Sequence, residues 1–467
     1  MSVSQKQNVG SDESRYSSKI HLSYSLGSFF DTFYVASFTV RVIYFYENEL
    51  FLSIVLIGTA FIIYGFWNMI NDPLIGWFAD KETRFTKRWG RRFPWFFIGA
   101  ISINFVYIFI YTVPVNDQLG MFIWLLVIIC LFELCYSLWQ VSWLSLYPDK
   151  FRSQKERTKL GALTTIFGQL GTVMGIVIPP LFIIYGNVES YIFAAIAVAI
   201  ISLIIALLII PGMHEDEDII ARELKNIQEQ KKEEESYLQI VKFSMKEKNF
   251  VAYVLWYLCY YMLPLLMLSS LSYWVIYIVK YRNPMIETLL AGIFMIGALV
   301  SVPLWLKMGR KFGIRKIYIY GSLMASICFI PLIFVSDLTL TLTFLFLIGF
   351  FYGSCWTLLY PGFSEVMDEL VVKSGERREG AYTGIRTFIG RLSFVLQAVI
   401  FSIVHTTTKF EAGAETQKPL ALWGIRIIMV IAPMVFLFIG FLLMAIFYDL
   451  TPEKVNANKA LLKEKNF

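Results

Sequence analysis

Several polar and charged side chains interrupt long apolar runs in this chain, and their types suit ion and solute chemistry. Asp72 follows Asn68 by one helical turn, with Pro73 directly after it, in WNMINDPLIGWFA at 67–79. A four-residue spacing places the two side chains on one helix face. Pro73 removes a backbone donor and frees a carbonyl nearby. Carboxylate, amide and carbonyl oxygens suit a hard cation such as Na+, and a lone carboxylate suits a proton. The competing reading is structural: Asp72 fixes its helix against a later one, paired with an arginine.

Asp31 stands near the middle of the first apolar run, with the hydroxyls of Tyr24, Ser28, Thr32 and Tyr34 nearby in sequence. It is a candidate ligand for solute hydroxyls or an amine, or a buried partner for Arg391. Glu133 and Gln140, seven residues apart, return to nearly the same helix face. Trp139 and Trp143 flank Gln140 and offer platforms for sugar rings or a lipid chain, or simply pack the core. Arg391 is the deepest cation. It stays protonated in almost any setting, so it can bind an anion or balance Asp31, Asp72 or Glu133, but not carry the coupling proton. Arg41 and Arg426 lie towards the outer leaflet, where they can snorkel. Arg386 is placed to pair with Glu365, Asp368 or Glu379. The expected solute-binding set is Asp31, Glu133, Gln140, Trp139, Trp143 and Arg391; the expected cation-coupling pair is Asp72 and Asn68.

These residues must be positioned by membrane helices. The chain has 467 residues, 57% hydrophobic and only 16% charged, where a soluble protein is about one quarter charged. Repeated apolar runs of about 20 residues mark a polytopic all-α membrane protein. Twelve spans are expected at 20–46, 52–79, 94–114, 119–147, 160–185, 190–211, 250–279, 286–308, 316–336, 338–362, 381–405 and 420–448. Alternate loops are basic. Lys81, Arg84, Lys87, Arg88, Arg91 and Arg92 follow span two; Lys150, Arg152, Lys155, Arg157 and Lys159 follow span four. Arg310, Lys311, Arg315 and Lys316 follow span eight, and Lys373, Arg377 and Arg378 follow span ten. The opposite loops hold only Lys280, Arg282, Lys409 and Lys418. Such asymmetry places the basic loops and both termini in the cytoplasm.

Residues 1–19 read as a disordered cytoplasmic tail, without the basic and apolar pattern of a signal peptide. Residues 212–249, charged with both signs, read as a helical, water-facing linker; Ile219, Ile220, Leu224 and Ile227 offer it a weak apolar stripe. The domain plan is a six-helix bundle at 20–211, that linker, a second bundle at 250–450 and a cytoplasmic tail at 451–467. The halves echo each other: GWFADKETRFTKRWGRR after span two and LWLKMGRKFGIRKIY after span eight are both helix ends followed by basic, Gly-containing loops. Two parallel repeats with a site between them are a transporter architecture. Gly171 with Gly175, and Gly349 with Gly353, are small-residue pairs that permit close helix approach.

The formal charge of +6 sits in short loops between spans, so a nucleic-acid partner is rejected. Cys130, Cys135, Cys259, Cys328 and Cys355 lie in apolar runs without metal-ligand spacing. His21, His214 and His405 are scattered. No phosphate loop, nucleophile–base set or metal motif appears, so an enzyme is not expected.

Four stretches resemble the major facilitator superfamily and, within it, the glycoside–pentoside–hexuronide cation symporter family, the melibiose-permease-like group. They are HLSYSLGSFFDTF at 21–33, the stretch from Trp67 to Trp95, SGERREGAYTGIRTFIGR at 374–391, and ALWGIRIIMVIAP at 421–433 with Tyr448. The resemblance implies secondary active uptake of a sugar or related solute by alternating access, driven by Na+ or H+. It also implies that the loop after span two, with Gly76, Asp80, Arg88, Arg91 and Arg92, locks neighbouring helices in one state and releases them in the other. This chain departs from the family pattern in several places. Asn68 stands where an acid is usual, Gly65 where an arginine is usual, Gln140 at the acidic sugar-binding position, and Arg391 at a lysine position. A standard Na+/galactoside site is therefore not intact. The expected partners are a small solute, a coupling cation and the bilayer of the plasma membrane, with the chain a monomer. No cofactor is expected beyond Na+ as the coupling ion. A lysolipid or other amphiphile is the alternative cargo, and a non-transporting sensor the third reading.

Overall fold

In the computed structural model the described residues are 15–79, 86–151, 153–220, 237–376 and 378–464. Asp80, residues 1–14, and the linker residues from 221 to 236 with Leu224 and Ile227 lie outside them. Within them the apolar runs form helices, because a backbone in hydrocarbon must satisfy its own hydrogen bonds. Numbering the long helices in chain order, the first half holds α1 (Ser18–Tyr44), α2 (Ile54–Ala79), α3 (Phe93–Tyr111), α4 (Gln118–Lys150), α5 (Gln154–Val177) and α6 (Val188–Met213). The second holds α7 (Lys248–Tyr273), α8 (Pro284–Phe312), α9 (Ile314–Phe329), α10 (Leu338–Ser374), α11 (Glu379–Thr408) and α12 (Pro419–Ile446). Eleven are long and apolar enough to cross a bilayer. The exception, α1, carries Ser23, Ser25, Ser28, Asp31, Thr32, Ser37, Thr39 and Arg41. It packs on α5, α6 and α7, which shield these groups from lipid.

Helix contacts repeat between the halves. In the first, α1 packs on α5 and α6, α4 on α2 and α3, and α3 on α6; in the second, α7 packs on α11 and α12, α10 on α8 and α9, and α9 on α12. Each pair in one half maps onto the other by adding six to the helix number. The halves meet through α1 with α7, α2 with α11, and α5 with α8. Local details repeat as well. Both α1 and α7 end in a π-helical turn, Phe45–Glu49 and Trp274–Ile278. Asp117 and Asp337 cap α4 and α10, accepting from the backbone N–H groups of Gly120 and Leu340.

Glycines set the closest crossings. A Cβ at Gly171 would fall on the Phe29 carbonyl and one at Gly175 on that of Phe33, which brings α5 onto α1. A Cβ at Gly349 would fall on the Phe294 carbonyl, and one at Gly353 would lie 2.7 Å from that of Ala298, which brings α10 onto α8. Close backbone approach of this kind is how small residues drive association in lipid.

Helix ends differ from expectation where the chain leaves the hydrocarbon. Expected to end at 362, α10 continues to Ser374. Phe363, Val366, Leu370 and Val371 stay buried there. The extension packs on a C-terminal helix, Pro452–Glu464, which buries Val455 and Leu462. That segment, expected as a tail, is helical because its apolar positions have a face to cover. The N-terminal tail also ends early: the Tyr16 N–H donates to Glu156 at 3.0 Å and its hydroxyl to Asp216 at 2.5 Å. Ile219 of the linker is buried.

Candidate functional site

The polar centre forms where α2 and α4 of one half face α11 of the other. The register brings Asn68 and Asp72 round to the same side of α2, and Arg391 of α11 reaches both. Its guanidinium donates to the Asn68 side-chain and backbone oxygens and to an Asp72 carboxylate oxygen. Glu133 of α4 lies 3.6 Å from the same guanidinium. The Tyr64 hydroxyl donates to Glu133 Oε2 at 2.7 Å, and Ser137 Oγ donates to Asp72 Oδ1 at 2.5 Å. Asn71, given no role in the expected site, ties α2 to α4 by donating to the Glu133 carbonyl at 3.1 Å and to Ser137 Oγ at 2.8 Å. It was legible as the polar residue between Asn68 and Asp72 in the same run. Glu133 Oε1 is buried without a hydrogen-bond partner.

Asp31 belongs to a neighbouring group. It accepts from the Tyr136 hydroxyl and, at 2.9 Å, from Gln140 Nε2, which also donates to Tyr136 at 2.8 Å. Gln140 therefore joins Asp31 on α1, while Glu133 joins Arg391; Tyr136 lies between Glu133 and Gln140 along α4. Asp31, Asp72 and Glu133 give three carboxylates to one guanidinium. An excess of buried negative charge is costly without a cation or proton.

Trp139 and Trp143 are placed in packing. Trp139 meets Phe30 and Tyr136 edge-on, at 4.8 and 5.6 Å between ring centroids. Trp143 stacks on Tyr24 at 5.5 Å and donates to the Tyr24 carbonyl at 3.0 Å; the Tyr24 hydroxyl returns a bond to the Trp143 carbonyl at 2.6 Å. Their ring faces are taken by neighbours within the first half.

Two arginines depart from expectation. Arg41 does not snorkel: it is 3% exposed and pairs with Glu287 of α8 at 2.7 Å, which supplies the counter-charge that makes its burial tolerable. Arg386 lies over the rings of Phe363, Tyr257 and Tyr360, at 4.3, 5.0 and 5.7 Å, and not against Glu365 or Asp368. Arg426 donates to Ser336 at 2.9 Å and stays part-exposed.

A second polar cluster, missed in the sequence, joins the halves at the end opposite the basic loops. Glu47, in the π turn after α1, accepts from Tyr273 of α7 at 2.5 Å and meets His405 Nδ1 of α11 at 2.8 Å. The His405 ring stacks on Phe410 at 4.4 Å. Ser269 donates to the Thr39 carbonyl at 3.0 Å, and Gly413 N–H to Asn48 at 3.2 Å. The available signal was an acid at the end of an apolar run. At the basic-loop end Tyr360, by contrast, is 70% exposed.

The basic loop after α2 is anchored within its own half. Glu215, just past α6, is buried and accepts from the backbone N–H groups of Arg91, Arg92 and Phe93 at 3.1, 2.7 and 3.0 Å. Those N–H groups open α3, where a carboxylate also complements the helix dipole. Gly90 has φ +87, and a Cβ on it would collide with that carboxylate. Arg92 pairs with Asp149 of α4 at 2.5 Å, and Arg88 is exposed. Gly76 is half-buried, and a Cβ there would meet nothing within 4 Å. The equivalent loop of the second half repeats the device: Gly313 has φ +86, and its Cβ position lies 2.6 Å from Pro452, just past α12.

Comparison with known proteins follows the same outline. A family model described as MFS/sugar transport protein matches residues 23–452. The sodium-dependent lysophosphatidylcholine symporter 1 of Xenopus tropicalis is 23% identical over 441 residues, covering 86% of this chain and 82% of that protein. The uncharacterized symporter YnaJ of Bacillus subtilis is 25% identical over 448 residues, covering 93% and 92%. Among solved structures, that of a D-xylose-proton symporter superposes with a TM-score of 0.66 at 13% identity, covering 93% of this chain and 98% of the other. A nucleoside transporter, NupG, gives 0.58 at 15% identity, covering 95% and 99%.

Proposed function

The chain belongs to the MFS/sugar transport protein family, a family of membrane transporters and not enzymes, and from that premise we propose a cation-coupled symporter of a small polar solute working by alternating access. The observation that carries this reading is the Arg391 bridge: a cation from the second half holds Asn68, Asp72 and Glu133 of the first. Three carboxylates share that region with one guanidinium, so a further positive charge stabilises it. Glu133 Oε1, buried and without a donor, and Asp72 are the groups that take a proton or a Na+ ion. When one arrives, the hold of Arg391 on Asp72 weakens, and the contact between α2 and α11 loosens with it. Asp31, Gln140 and Tyr136 supply donors and acceptors for solute hydroxyls. The closed end is held by Glu47–His405 and Arg41–Glu287, and the basic-loop end faces the cytoplasm. On this reading the chain is a monomer in the plasma membrane with both termini cytoplasmic.

A lysolipid cargo is the second reading, favoured by the names of the Xenopus tropicalis relative and its counterparts. The experiment is uptake into proteoliposomes of glycosides and lysophospholipids, with Na+ and H+ gradients imposed separately. Accumulation above the equilibrium level under one gradient is expected. Equilibration alone under both gradients would overturn the coupling, and competition by lysophospholipids but not glycosides would replace the cargo.

A further inference from the structure

Arg386 carries a charge that the centre around Arg391 does not use. The two arginines are five residues apart on α11, a rotation of about 140°, so they serve different faces. Arg386 faces α7 and α10, is 7% exposed, and has its guanidinium over Phe363, Tyr257 and Tyr360. Stacking on rings uses the face of the cation and leaves its in-plane donors to find other partners. Nε and Nη1 are both buried with no acceptor, as is the hydroxyl of Tyr382 one turn earlier on the same helix. The Tyr253 hydroxyl donates to the Leu359 carbonyl at 2.6 Å and lies beside the guanidinium, where its oxygen offers a neutral acceptor but no counter-charge. Among the described residues no carboxylate forms an ion pair with Arg386.

A buried guanidinium without a counter-ion is strongly unfavourable, and its planar fork of donors matches a carboxylate or phosphate. The site has an open side: Tyr360, whose ring lies under the Arg386 guanidinium, is 70% exposed. We propose that Arg386 is the binding residue for an anionic group on the transported solute, a carboxylate or phosphate, seated among Tyr257, Tyr360 and Phe363. This rests on the transporter reading above and narrows its cargo to an acidic or zwitterionic solute. Asp31 and Gln140 then face the neutral or cationic remainder of the same molecule.

The test uses matched pairs differing in the anion: methyl glucuronide against methyl glucoside, and lysophosphatidic acid against the monoacylglycerol of the same chain, with inorganic phosphate as a free-anion arm. Purified protein is measured by thermal melting with each probe, then by proteoliposome uptake for the wild type, Arg386→Gln and Arg386→Lys. At least one anionic probe should raise the melting temperature and be taken up with a KM about tenfold below that of its neutral partner, the value of one charged hydrogen-bonded contact. Arg386→Gln should abolish that difference by raising the KM of the anionic member far more than that of its neutral partner, and Arg386→Lys should restore part of it. The pair that responds separates a sugar acid from a lipid headgroup. A wild type stabilised only by neutral probes, or by none, overturns the proposal even if the variants fail to fold. So does an equal loss of both members of a pair in Arg386→Gln. Anion-selective uptake that ignores both gradients leaves this proposal standing and removes the coupling instead.

Discussion

Arg391 of α11 holds Asp72 and Asn68 of α2 in one grip, two acceptors one helical turn apart on the opposite half of the molecule. The bridge crosses the plane along which the halves must move. Its side chains are only 14% and 25% exposed for Arg391 and Asp72. Asp72→Asn removes half of a partly buried ion pair, and breaking such pairs costs about 3 kcal/mol. Thermal melting should show Asp72→Asn and Arg391→Gln each less stable than wild type, and the double variant more stable than the sum of the two. Additive losses would mean that the pair is not coupled.

The Arg41–Glu287 pair closes the other end, with both side chains almost fully buried. Glu287→Ala strands a buried arginine, which favours any state in which water reaches it. Ser269, whose hydroxyl donates to the Thr39 carbonyl, then reports on that opening. A thiol reagent should label Ser269→Cys slowly in the otherwise native chain and at least about tenfold faster with Glu287→Ala, a shift of 1.4 kcal/mol or more. Equal labelling rates would show that the pair does not hold this end shut.

How much of this was legible in the sequence depends on the distance over which each contact is set. The helices were, because apolar length is a local property. The Asp72–arginine contact was available as one of two readings, because intramembrane charges are few and need partners. The Glu47–His405 and Arg41–Glu287 contacts were not: their members stand 358 and 246 residues apart, and nothing local to any of them names a partner. Likewise Trp139 reads as a solute platform or, more readily, as core, and only Phe30 and Tyr136 against it decide between them. The extension of α10 escaped notice because its apolar residues are spaced to cover one neighbouring helix, not lipid all round.

Glu215 and Gly90 form a joint at the basic-loop end of the first half. Glu215→Ala removes the acceptor of three backbone N–H groups. Loss of a capping acceptor costs about 1–2 kcal/mol. Gly90→Ala adds a Cβ at a positive φ, directly onto the carboxylate, and should cost at least as much. The combined variant should be less destabilised than the sum, since removing the carboxylate relieves the collision. Melting of the three proteins checks this, and strict additivity would separate the two residues.

Gly349 and Gly76 give opposite expectations for one added methyl group. At Gly349 the Cβ falls on the Phe294 carbonyl, so Gly349→Ala must push α10 from α8 along a crossing with backbone on both sides. Overpacking of this kind costs about 1–3 kcal/mol, and melting should fall accordingly. At Gly76 the Cβ meets nothing within 4 Å, and alanine is the better helix former, so Gly76→Ala should melt at or slightly above the wild type. Its effect on transport is then diagnostic. Alternating access requires the basic-loop end to close, and a glycine in the last turns of α2, at that end, is suited to close approach in that second state. Gly76→Ala should therefore be well folded and slow in net uptake, with solute binding retained. Wild-type uptake would mean that no helix comes closer to Gly76 in any step of the cycle, and would restrict the loop to anchoring α3 through Glu215 and α4 through Arg92.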